Sequence, residues 1–197
     1  MIKGIWTRED TAMDNVEIVF LVAGCAANLS LICMLYWSIR RPDRRLWPPE
    51  RSTPAHKAMV WALTTTGFAS AIALGLLGWG TLETPRLLRW GIGPLLIILG
   101  NVVVWAGVAQ LGFAATSGEE DTLRMNGLYQ YSRNPQYVAD VAILVGIGLL
   151  SATSLSWPVV LSGILALVLA PFAEEPWLEK RYGEAFKKYS TSTRRFL

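Results

Sequence analysis

Long apolar runs separated by short polar ones dominate the chain, and the apolar runs have membrane-crossing length. The first is Val16 to Trp37, closed by Ser38-Ile39-Arg40-Arg41-Pro42. The second runs from about Ala58 to Trp79, and the third from about Leu87 to Leu111 with Pro94 near its start. About 20 apolar residues in helical form cross a hydrocarbon layer roughly 30 Å thick, and a soluble core needs no such uninterrupted run. The last apolar stretch, Tyr137 to Phe172, is interrupted by Ser151-Ala152-Thr153-Ser154 and Ser156. That cluster and Pro158 exclude one long helix. The pattern predicts two somewhat short helices joined by an uncharged turn, and hence an all-α, polytopic membrane protein of about five transmembrane helices.

The polar segments orient these helices. Asp43 to Lys57 holds Pro48-Pro49 and Pro54, which are barred from a helix interior, and Arg44, Arg45 and Arg51, which prefer water and lipid phosphate. A short link with Glu83, Pro85, Arg86 and Arg89 separates the second and third spans, and Gly112 to Gln136 turns polar again through Glu119-Glu120-Asp121. The positive-inside bias sends the Arg-rich first loop to the cytoplasm. The N-terminus and the short link then fall outside, while the Gly112 to Gln136 loop and the Lys/Arg-rich tail return to the cytoplasm. The first run is too long for a signal-peptide core and lacks a small-residue cleavage site, so it is expected to be retained. These features predict a multi-pass protein, of the inner membrane in a bacterial cell, whose polar segments share a cytoplasmic face. No internal repeat breaks 1–197 into more than one domain, although 1–111 and 112–197 differ in character.

Composition agrees. Hydrophobic residues make up 52% of the chain and charged residues only 17%, against about 25% charge in soluble domains. The net charge of +3 is placed between apolar runs and in the tail rather than interleaved with aromatics on a polar face, which excludes a nucleic-acid partner. Both cysteines, Cys25 and Cys33, fall in the first apolar run, and the single histidine, His56, lies in a basic loop. No metal is expected. Asn28, Asn101 and Gln110 read as interhelical hydrogen-bonding residues. Trp37, Trp47, Trp79, Trp90 and Trp157, near span ends, read as an aromatic belt.

Two clusters carry candidate chemistry: Gly127 to Tyr137, before the fourth helix, and Glu174 to Tyr189, after the fifth. Pro135 has no N–H and pushes Asn134 out of the helical region, so Arg133-Asn134 feeds the helix from a loop with Asn134 at the N-cap. Free N–H groups at that helix start, with Arg133, suit an anionic group such as a carboxylate. Glu174-Glu175 can accept hydrogen bonds from ribose hydroxyls or an amine. Two carboxylates at that position can also simply mark where the helix leaves the membrane.

The combination is more specific. An Arg-x-Pro-x-Tyr opening of one helix, then Glu-Glu after a helical hairpin, then Leu-x-x-x-Tyr-Gly-x-x-Phe-x-x-Tyr, resembles the isoprenylcysteine carboxyl methyltransferases and phospholipid methyltransferases, integral membrane methyltransferases. The resemblance covers about Leu111 to Leu197. It implies a methyltransferase using S-adenosylmethionine as cofactor, held by Gly127, Tyr129, Arg133, Asn134, Pro135, Tyr137, Glu174 and Glu175. It further implies a lipophilic small-molecule substrate entering from the bilayer among membrane lipids, and direct displacement helped by orientation, with Arg133, Tyr137, Asp140 and Glu174 as catalytic candidates. This chain departs from the isoprenylcysteine enzymes in having Asn134 where they commonly carry His, and Leu169-Ala170-Pro171 where they carry an Arg. A guanidinium is a natural carboxylate partner, so a phospholipid amine stands level with an isoprenylcysteine carboxylate as acceptor. Asp140, one turn into the fourth helix, either orients the acceptor or cofactor or is a helix-start carboxylate favoured by the dipole. Two other readings stay open: an NADPH-dependent reductase of the sterol type, whose extra phosphate calls for more basic residues than the acidic loop offers, and a non-enzymatic membrane scaffold.

Overall fold

The computed structural model describes residues 13–50, 53–111 and 123–197. Arg51 and the acidic run Glu119-Glu120-Asp121 lie outside the described residues, as does the side chain of Gln110. The described elements are helices: α1 (Asn15–Arg40), α2 (Pro54–Leu77), α3 (Gly93–Leu111), α4 (Pro135–Ser151), α5 (Trp157–Tyr182) and α6 (Glu184–Ser192). A π turn, Leu87–Ile92, runs into α3, and short 3-10 turns occupy Pro42–Arg44 and Gly127–Gln130. Four helices are long and apolar enough to cross a membrane, Asn15–Arg40, Pro54–Leu77, Leu87–Ala109 and Trp157–Tyr182. At 17 residues α4 is shorter, as its interrupted sequence predicts. The chain is a polytopic helical membrane protein.

Local chemistry explains the ends. Glu17 reaches back to accept from the Asp14 backbone N–H at 3.1 Å at the start of α1. Thr53 Oγ1 accepts from the His56 N–H at 3.2 Å, so Pro54 takes the first helical position. Proline is pre-set for that position, and α2 therefore begins earlier than Ala58. The α4–α5 turn uses Ala152 in the left-handed region at φ 50°, with Thr153 and Ser156 fully buried.

The fifth helix departs from expectation. It does not stop at Phe172 but runs through Pro171 and Pro176 to Tyr182, so Glu174 and Glu175 lie inside α5 rather than after it. Each interior proline costs roughly 3 kcal/mol, and packing offsets this: Pro171 and the neighbouring Ala170 and Ala173 are buried, the alanines in a cluster with Leu31, Met34, Leu35 and Trp47. The α6 helix is a further element that the hydropathy pattern does not announce.

α1 packs on α2 and α5, and α3 packs along α4, which also touches α2 and α5. The α3–α4 contact is close because glycines line it. A Cβ on Gly100 would stand 2.8 Å from the Ala139 carbonyl oxygen, and one on Gly146 would stand 2.7 Å from that of Gly93. Such small-residue seams are how helices approach one another in lipid. Among the described residues α2 and α3 scarcely meet, which leaves a gap with α4 behind it. Asn28 donates across the bundle to the Val159 carbonyl at 2.9 Å and to Ser162 Oγ at 3.0 Å, as expected. Asn101 does not: its amide donates to Ile97 within its own helix, at 2.8 Å.

Candidate active site

At one end of the bundle the α1–α2 loop, the segment entering α4 and the last turns of α5 come together. Ser38, near the end of α1, accepts from the backbone N–H groups of Leu46 and Trp47, both at 2.9 Å. This folds the loop inward and buries Trp47, whose indole N–H donates to Glu174 Oε1 at 2.7 Å. Tyr137, in the first turn of α4, donates its hydroxyl to the same oxygen at 2.5 Å. Bonds to a charged carboxylate are roughly twice as strong as neutral ones, so two elements aim the Glu174 side chain. Its Oε2 receives no donor among the described residues. Trp47 is thus a correction to the aromatic-belt reading. A Trp near a span end has the same sequence signature whether it faces lipid or turns inward, and the Ser38 acceptor decides between them here.

Glu175 is held by cations. Arg133 donates to its Oε1 from Nε at 3.1 Å and Nη2 at 2.9 Å, and Arg195 donates to Oε1 at 2.9 Å and Oε2 at 2.6 Å. The side chains of Arg133 and Glu175 are only 11% and 13% exposed, so this is a sheltered pair rather than a surface one. Arg133 Nη1 also donates to the carbonyls of Ser190 and Thr193, both at 2.7 Å. The backbone N–H of Arg133 donates to the Arg194 carbonyl at 2.9 Å. Asn134 occupies the N-cap position of α4, yet its amide does not cap; it donates to the Arg195 carbonyl at 3.0 Å. The segment after α6 is therefore tied to the Arg-Asn-Pro turn at several points.

α6 seats that segment. Its Phe186 and Tyr189 form a small core with Tyr129, apart from the bundle, and the Tyr189 hydroxyl donates to the Tyr129 carbonyl at 2.6 Å. Burial pushes the Tyr189 phenol up to about 12, with the Arg133 charge opposing and Glu175 adding to the rise, so it remains a donor. Gly127 opens the 3-10 turn before Tyr129 at φ 64°, a backbone conformation that glycine adopts without penalty.

Gly127, Tyr129, Arg133, Asn134, Pro135, Tyr137, Glu174 and Glu175 are thus gathered at one end of the bundle. Asp140 lies one turn deeper, away from the Glu175 cluster, on the wall of a cavity of about 680 Å³ between α2, α3 and α4. Trp61, Phe68, Ile97 and Trp105 line its apolar walls, and Gln136, Tyr137 and Lys57 also reach it. A narrower cavity of about 80 Å³ penetrates between α1, α2 and α5 as far as Asn28. Trp47 and Tyr137 border both cavities while holding Glu174. Ser38, Trp47 and Arg195 are the site residues that the motifs do not reveal. Among the described residues no group of three or more His, Cys, Asp or Glu could hold a metal ion.

A carboxylate aimed by aromatic donors, beside a lipid-sized apolar cavity, can orient a polar group and a lipophilic one together. The family model for phospholipid methyltransferase matches residues 88–185. Over these residues the chain belongs to the phospholipid methyltransferase family. The matched stretch of this phospholipid methyltransferase family member contains the Gly127–Tyr137 segment and both glutamates, and it begins well before Leu111, where the motif resemblance starts. Trp47 and Arg195 lie outside it. Family membership and the apolar helices together make the chain a membrane methyltransferase. No curated protein and no solved structure matches it significantly.

Proposed function

We propose that this phospholipid methyltransferase family member transfers a methyl group from S-adenosylmethionine to a lipophilic acceptor resident in the bilayer, at a site open to the cytoplasm. The single observation that carries the reading is the setting of Glu174: held on one oxygen by Trp47 and Tyr137, open on the other, and one aromatic layer from the lipid-sized cavity. A carboxylate oxygen with no donor among the described residues fits ribose hydroxyls or an ammonium group, and the aromatic rings around it suit a cationic, partly apolar ligand. S-adenosylmethionine supplies an electrophilic methyl group. Gly127, Tyr129, Arg133, Asn134, Pro135, Tyr137, Glu174 and Glu175 would hold it, with the Arg133–Glu175–Arg195 cluster fastening the C-terminal segment alongside.

In this reading the chain's own residues orient and exclude water rather than form a covalent intermediate, and alignment alone is worth several kcal/mol. The Arg-rich first loop, which carries Trp47, supports the cytoplasmic orientation.

Calorimetry on detergent-purified protein with S-adenosylhomocysteine tests the reading. Binding is expected, and Glu174→Gln should lose it without a change in melting temperature. Binding of NADPH in place of the homocysteine compound would establish the reductase, and binding of neither the scaffold.

A further inference from the structure

The cavity between α2, α3 and α4 has a chemistry of its own at the end nearest Glu174. Among the described residues Asp140 is the one carboxylate that lines it. Among the described residues Asp140 has no hydrogen-bond donor and no ion-pair partner, and Lys57, the other charged residue on the wall, makes no ion pair with it. Close by, the side-chain nitrogen of Gln136 is buried without an acceptor. A carboxylate at membrane depth is costly unless it faces a polar cavity or a partner, and a buried amide N–H without an acceptor is costly as well. Both costs fall on one spot of a cavity whose described lining is mostly apolar and whose size is that of small-molecule sites.

We propose that this cavity is the acceptor site, and that Asp140 binds a lipid whose nucleophilic atom still carries a proton, an N–H or O–H, and takes that proton. The inference rests on the methyl-transfer reading for its chemistry. Methylating a carboxylate makes an ester and releases no proton, so an acid-binding site has no use for an unpartnered carboxylate. An amine or hydroxyl acceptor gives up one proton for each methyl it gains: the N–H or O–H bond breaks, an O–H bond forms on Asp140, and the bond to the methyl forms as the sulfonium donor leaves as a thioether. Gln136 supplies a donor to whatever polar group sits beside the nucleophile. The lipid enters between α2 and α3, which scarcely meet, past Trp61 and Trp105, both 41% or more exposed on the flanking helices. Tyr137, bonded to Glu174 and lining the cavity, stands between the acceptor and the proposed cofactor residues.

Four probes with one 18-carbon chain test this by binding alone, in detergent: oleylamine, oleyl alcohol, sodium oleate and oleyltrimethylammonium. The native protein should bind the amine and the alcohol at least tenfold more tightly than oleate, and the amine more tightly than the quaternary ion, which has charge but no proton to donate. Asp140→Asn should lose that preference for the amine and the alcohol, while Thr64→Trp, which fills the cavity, should abolish all four. S-adenosylhomocysteine binding, measured in parallel, shows that each variant is folded. Should the homocysteine compound fail to bind the native protein, the methyl-transfer reading falls, whereas the probe preferences are still scored on their own. Oleate bound as tightly as the amine, an amine affinity unmoved by Asp140→Asn, or equal binding of the quaternary ion would overturn the proposal.

Discussion

Glu174 and Glu175 are adjacent and have opposite company. One accepts from two uncharged aromatic donors and keeps an oxygen open; the other is enclosed by two guanidinium groups. Changes at the two should therefore read out differently. Trp47→Phe keeps a ring in place but removes a donor to a charged group, worth about 1.5–3 kcal/mol. The affinity for S-adenosylhomocysteine is expected to drop by about tenfold or more in calorimetry, with a fall of only a few degrees in melting temperature. Arg133→Ala instead leaves a sheltered carboxylate short of one cation, a loss of about 3 kcal/mol, and the midpoint of chemical unfolding should fall. Arg133, Tyr137 and the glutamates were legible in the sequence because each belongs to a short motif around Pro135 or Pro176. Trp47 was not, because its partner lies 127 positions away and a lone tryptophan by a span end carries no directional signal. Nor was Arg195, which reaches Glu175 only because α6 reverses the chain.

Among the elements, the spans were readable from uninterrupted hydropathy, and the α4–α5 turn from its Ser/Thr cluster. The end of α5 is not legible in the sequence, because two prolines and two carboxylates imitate a helix terminus while buried neighbours hold the helix together. α6 was invisible for a different reason: a nine-residue helix is unstable by itself and is made by the burial of Phe186 and Tyr189 on Tyr129. Phe186→Ala should cost about 3 kcal/mol of local stability, and amide hydrogen exchange should rise across α6 and the residues after it while the bundle stays protected. The glycine seam between α3 and α4 makes the opposite forecast. Gly146→Ala places a methyl group against backbone, which cannot swing aside, so the two helices must part. A loss of about 1–3 kcal/mol is expected, with the cavity they flank changing shape, and thermal unfolding in detergent would measure it.

For the molecule as a whole, hydropathy gave a bundle but not its gap. Which helices fail to pack is settled by pairings between distant segments, and the wide spacing of α2 from α3 follows from α1 claiming one and α4 the other. Filling that gap should block lipid without disturbing the polar end: Thr64→Trp is expected to leave S-adenosylhomocysteine affinity within about twofold of native while methyl transfer to membrane extracts, followed with a radiolabelled methyl donor, falls to background.

The bond from Trp47 to Glu174 joins a loop before residue 88 to a helix inside the family match, and this bears on how the protein could be recombined. A chimera that grafts residues 88–185 onto unrelated helices would inherit the carboxylate without the donor that aims it. Exchange between relatives should succeed only where the recipient's first loop brings an inward-facing donor of its own, so the opening two helices and the matched region are expected to travel as a unit.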